Sequence, residues 1–314
     1  MKKIIIKSII FILLWFGLFN FVIAPAYLSS FFYKNLSNHT AFTRIKTSKT
    51  YGPEKVVFLG ESVANQLFGK MSNTLTTSGA TLMVGNYILA YNAIQNYPNL
   101  EYIVLCAAPE VIGQAFEREK TYNNLIKPFF TYENKEHFSE LVHSKMRQKW
   151  WSYFAILPAV KVVSCFSDVD YSTLPKLPEK TFFSDIAIEY LEKIYQLAYD
   201  NDIEFIVVSS PLNKKKFSRE IEDDWWDFRS EIEEHGLEYI FIDYFDNLLY
   251  LDNKNFKTDG KHIKKNYLNE NKNYIISSIL PNFVYEATDK NFGKNKNNKK
   301  NKNNKNNKNN KKKK

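Results

Sequence analysis

The 314-residue chain, 44% hydrophobic and 16% aromatic, is long enough to bury a substantial core as one large domain or two small ones. Its formal charge of +9 is unevenly placed: twelve lysines lie in residues 290–314 and three in residues 1–24, neither segment carries an acid, and the remainder is therefore at −6. A mildly acidic body argues against a nucleic-acid-binding face on the folded region, and Cys106 and Cys165 stand at a spacing that fits no metal motif.

Residues 1–26 open with Lys2, Lys3 and Lys7 and continue as an apolar run to Ala24. The length suits a single transmembrane helix, with the lysines inside and the rest exported. A removed signal peptide is the competing reading, because Ala24-Pro25-Ala26 resembles a cleavage site, although signal-peptide apolar cores usually span only ~7 to 15 residues. Residues 27–52 read as a juxtamembrane connector in which Phe31, Phe32 and Tyr33 suit a membrane interface.

From Lys55 the pattern alternates, and the folded domain is expected over residues 53–285. Strands are expected at 55–59, 74–78, 101–106, 204–208 and 238–242, and helices at 63–69, 81–96, 184–200, 217–234 and 264–280. This succession predicts an α/β three-layer sandwich around a central parallel sheet of about five strands, preceded by one transmembrane helix. Residues 109–183, with Phe129-Phe130, Trp150-Trp151 and several prolines, read as an insertion whose aromatics either pack onto the core or overlie a site. Cys106, inside an apolar strand, reads as a buried free thiol, with a disulfide to Cys165 as the exported alternative. The Lys/Asn tract at 290–314 cannot bury apolar surface and is expected to be disordered.

The chemistry concentrates at two places. Ser62 follows the first strand in a Gly60-Glu61-Ser62 turn, at the carboxyl edge of the sheet where open α/β folds hold ligands. Alone, Gly-X-Ser is more often a plain turn or helix cap. Asp259 and His262 share a short loop before the last helix, which would deliver an imidazole together with a carboxylate to orient it. A turn aspartate and a surface histidine are the bland alternative. A serine nucleophile needs both partners, and the order Ser, then Asp-X-X-His, is one that chance seldom produces. No metal cluster or nucleotide loop stands out, so no cofactor is expected.

On these residues the chain resembles the SGNH/GDSL hydrolase superfamily. Phe58-Leu59-Gly60-Glu61-Ser62 looks like its first block, Ser78-Gly79-Ala80 like its second, and Asp259-Gly260-Lys261-His262 matches the last, Asp-X-X-His. The resemblance implies that Ser62 attacks, His262 acts as general base and Asp259 orients it, with the amides of Ser62 and Gly79 as oxyanion hole, worth ~3 kcal/mol per donor. Two departures stand out. Glu61 replaces the usual Asp, and the strand that should lead to a third-block Asn leads into Ala107-Ala108-Pro109. The α/β-hydrolase elbow, Gly-X-Ser-X-Gly, fits less well, since Ala64 stands at its last position.

The architecture resembles the membrane-anchored branch of that superfamily. It implies an extracytoplasmic acyltransferase or esterase held at the cytoplasmic membrane, acting on a cell-envelope polysaccharide or similar acylated polymer, in some cases beside a polytopic membrane acyltransferase. The alternative is a non-catalytic envelope protein that keeps the fold as a binding part.

Overall fold

Consecutive apolar residues in a strand signal coverage on both faces. Val56–Gly60 (β1) is buried throughout, as is all but the first residue of Tyr102–Cys106 (β2) and of Glu204–Val208 (β3). In this computed structural model, which describes residues 2–23, 39–77, 82–112, 129, 132–144, 182–215 and 222–292, the three strands pair in parallel in the order β1-β2-β3. The helices are α1 Lys2–Leu18, α2 His39–Ser48, α3 Ser62–Phe68, α4 Leu82–Asn96, α5 Pro109–Ile112, α6 Glu140–Ser144, α7 Asp185–Tyr199, α8 Glu222–Glu234, α9 Lys265–Ile279 and α10 Asn282–Phe292.

Alternate residues of each strand enter different cores. Val57, Leu59, Ile103, Leu105 and Val207 meet α4, α7 and α8, whereas Val56, Phe58, Val104, Cys106 and Ile206 meet α3, α9 and α10. The chain is therefore a mixed α/β protein with a small parallel sheet between two helical layers. The helices follow their local sequence. Ser184 caps α7 by accepting from the Ala187 amide at 3.2 Å, and Ile186, Ala187, Tyr190, Leu191 and Ile194 make the buried stripe. On that side of the sheet α7 packs directly against α4.

Among the described residues the sheet has three strands, where about five were expected. Residues 73–77 do run along the free edge of β1: the Phe58 amide donates to Asn73, and the Leu75 and Thr77 amides donate to Phe58 and Gly60. Only one bridge, Phe58 to Thr74, is regular. The Arg44 side chain takes the Thr76 carbonyl at 2.7 Å, so this edge is closed by a side chain rather than by another strand. The expected strand at 238–242 is a series of turns, in which the Ile240, Phe241 and Tyr244 amides donate three residues back. Ile240 and Phe241 are both buried while Tyr239 and Ile242 are exposed, so burial does not alternate as a strand requires. The run plugs an aromatic cluster with Phe183 and Phe228 instead. Two-residue strands β4 Leu212–Asn213 and β5 Tyr250–Leu251 form a separate parallel pair.

Other elements fall where the sequence was read differently. Within the stretch read as connector, α2 packs on α4 and buries Ala41 and Phe42. Past residue 285, α10 continues with Val284 and Thr288 buried. Cys106 is a free thiol, fully buried and pushed up by that burial and by the charge of Glu61. Lys2–Ile23 forms one helix of 22 residues containing an 18-residue stretch of mean hydropathy 2.2, long and apolar enough to cross a membrane, a property signal sequences share. Cys165, Trp150, Trp151, the aromatics at 31–33 and the tract at 294–314 lie outside the described residues.

Gly60 ends β1 at φ +130°, and a Cβ there would stand 2.3 Å from the Cys106 carbonyl oxygen and 2.8 Å from the Ala64 Cβ. Replacing it adds a left-handed strain to a backbone clash. Gly60→Ala is expected to destabilise the fold by about 3 kcal/mol or more, read as a lowered urea midpoint at unchanged slope.

Candidate active site

Because Gly60 lets the chain approach β2 closely, the turn into α3 is tight. Glu61 is extended at the helix N-cap, its carbonyl already accepting from the Asn65 amide at 2.7 Å, and Ser62 is the first helical residue. The Ser62 hydroxyl thus sits at the carboxyl edge of the sheet. At the far end of α3, Phe68 stacks on Phe58 of β1 with ring centroids 4.1 Å apart, which fixes the short helix against the strand.

The second half of the site is a hairpin-like loop. Lys257 donates to the His262 carbonyl, Lys264 donates to that of Asn255, and Gly260 at φ +66° makes the reversal. One Asp259 oxygen accepts from the Lys261 and His262 amides at 2.8 and 2.9 Å, and the other meets the His262 Nδ1 at 2.8 Å. The same carboxylate therefore shapes the turn and orients the ring. His262 Nε2 lies 2.9 Å from the Ser62 Oγ, across 200 residues of sequence.

Electrostatics assign the protons. Slight burial pushes the Asp259 carboxyl up, but the amides of His262 and Lys261 and the His262 ring outweigh it and hold the group well below the usual carboxylate range. An ionised carboxylate only accepts, so the ring proton belongs on Nδ1, and Nε2 offers a lone pair to the Ser62 hydroxyl. The side chains of His262 and Asp259 are 32% and 44% exposed, so the site stands open to solvent on that side.

Ser62, His262 and Asp259 are thus brought together. Gly79, expected to supply the second oxyanion amide, lies outside the described residues. After β2, the Ala107 amide donates to Val208 and its carbonyl accepts from the Tyr244 hydroxyl, and residues 107–112 contain no asparagine. Asn86 of α4, 3% exposed, lines a cavity of about 10 Å³ with Gly60, Glu61 and Ala107, room for one water.

Two positioning residues escaped the sequence reading. Gln66 lies one turn after Ser62, and its amide bonds both main-chain groups of Ile263: the oxygen accepts at 3.1 Å and the nitrogen donates at 3.3 Å. This clamp holds the residue after His262 against the helix that carries Ser62. Its only sequence signal is the i, i+4 spacing from Ser62. Arg44, in α2, donates to Thr76, to the Asn65 side chain and to the Gly69 carbonyl, bracing α3 against the segment that leads toward residue 79. Burial lowers its pKa, and all three acceptors are neutral.

Gln66→Leu leaves both Ile263 groups without this partner and frees the loop. Labelling of Ser62 by a fluorophosphonate is expected to slow by about tenfold with little loss of folding, and Ser62→Ala is expected to abolish it; the probe is read by mass spectrometry of the modified peptide. Comparison with protein-family models, curated proteins and solved structures returns no match for this chain.

Proposed function

We propose that the protein is an extracytoplasmic serine acyltransferase or esterase of SGNH type, acting on O-acyl groups of a cell-envelope polymer. The observation that carries this reading is the imidazole of His262, held between the Ser62 hydroxyl at 2.9 Å and the Asp259 carboxylate at 2.8 Å. The order of the blocks along the chain and the apolar helix Lys2–Ile23 support the same branch of the superfamily, with the helix as anchor at the cytoplasmic membrane. An open Asp259–His262 edge also suits an acyl group carried on a bulky polymer.

The reaction proceeds in two halves. Ser62 Oγ attacks the acyl carbonyl carbon while its proton passes to His262 Nε2, and Asp259 stabilises the resulting imidazolium. The oxyanion is held by the Ser62 amide and, as the superfamily resemblance implies, by that of Gly79. Collapse expels the alcohol, which takes the proton back, and leaves acyl-Ser62. A second hydroxyl, from water or from a polymer acceptor, then loses its proton to His262 and releases the acyl group.

The test uses the full chain in detergent with p-nitrophenyl acetate and an O-acetylated glycan. Ser62→Ala is expected to lower turnover by roughly a thousandfold or more, and Asp259→Asn by about a hundred- to ten-thousandfold. Equal background turnover in wild type and Ser62→Ala would overturn the enzyme and favour the non-catalytic reading.

The sign of the pH dependence follows from Asp259. Its folded-state pKa is depressed, so its charge persists as pH falls and is lost only in strong acid. The acid limb of kcat/KM is therefore expected to fall with a slope of about one in a log plot, Asp259 contributing no proton to it. A slope of two would mean that Asp259 titrates there as well.

A further inference from the structure

At the amino edge of the sheet, opposite to the edge that carries Ser62, lies a second concavity. It encloses about 430 Å³, within the ~300 to 1,000 Å³ range of small-molecule sites. Its walls are aromatic. Tyr195 and Tyr199 of α7 are near parallel, with centroids 6.4 Å apart and planes 13° apart, and Tyr239 meets Tyr195 at 73° with centroids 4.6 Å apart. Phe283 of α10 adds a further ring to the lining. Glu204, which opens β3, and Asp243 add two carboxylates, and no lysine or arginine is among the described lining residues.

We infer that this groove binds an organic ammonium group. Ring faces carry the negative part of the aromatic quadrupole, and rings set at different angles around one groove turn such faces toward it from more than one side. The two carboxylates supply the countercharge. Both are held above the usual carboxylate range: Glu204 by partial burial and then by the charge of Asp243, Asp243 by partial burial and then by that of Asp246. A cation between them relieves that repulsion, and a neutral hydroxyl does not. The position of Tyr239 follows from the turns at 238–242, since an alternating strand there would have directed these side chains differently. The groove is separate from the triad and does not depend on its chemistry.

The full chain, purified in a maltoside detergent that carries no ammonium, is titrated by calorimetry with choline and with its neutral isostere 3,3-dimethyl-1-butanol. Choline is expected to bind saturably and about tenfold or more tighter than the isostere. Tyr239→Ala, Glu204→Gln and Asp243→Asn are each expected to weaken it severalfold at unchanged thermal midpoint, with Ser62→Ala binding as wild type does. The near-isosteric carboxylate-to-amide pair keeps the test valid if Tyr239→Ala unfolds. No saturable binding, equal binding of the isostere, or full binding by a Glu204→Gln, Asp243→Asn double variant would each overturn the inference. Binding of a neutral oligosaccharide in place of choline would do the same.

Discussion

The close approach of Gly60 to the Cys106 carbonyl is the constraint on which the rest depends. A side chain there would sit 2.3 Å from that oxygen, so only glycine lets β1 end against β2 and turn at once into α3. That turn puts Ser62 on the first helical position with its hydroxyl facing outward from the sheet edge. The seven-residue helix is too short to be stable alone and is fixed by its surroundings: Phe68 on Phe58 beneath, Arg44 at its side, and Gln66 holding Ile263 across from it.

Against that fixed serine, the Asp259 loop is built for register. One carboxylate oxygen closes the turn through two amides and the other orients the imidazole, so the backbone fold of the loop and the tautomer of the ring share one group. The hydrogen bonds that depress the Asp259 pKa are the same bonds that make the loop rigid. The Gln66 clamp then ties the loop to α3, so that the nucleophile and base approach as neighbouring parts of one unit although 200 residues separate them.

The strands that were legible, at 55–59, 101–106 and 204–208, each open on a charged residue and are then apolar at successive positions because both faces are covered. The run at 238–242 is equally apolar, yet its amides bond three residues back. An apolar run reports burial rather than backbone direction, and Ile240 and Phe241 are buried side by side in an aromatic cluster. Residues 73–77 do follow the edge of β1, and Arg44, more than thirty residues upstream in a stretch read as connector, occupies the outward Thr76 carbonyl that a further strand would have used. Those turns also leave Tyr239 exposed beside Tyr195 and Tyr199, so the aromatic groove arises from the same departure.

By itself the sequence determined the alternation of strands and helices, the position of the apolar leader, and the candidates Ser62, Asp259 and His262, because apolar periodicity, a glycine turn and a short Asp-X-X-His loop are local properties. Only the tertiary structure decided that the His262 ring lies between the other two, that Asp259 is ionised by amides of its own turn, and that Gln66 and Arg44 position them. Apart from the Asp259 turn, whose bonds are local, those are contacts across tens to hundreds of residues, set by how the two helical layers close on the sheet, and no local pattern encodes them.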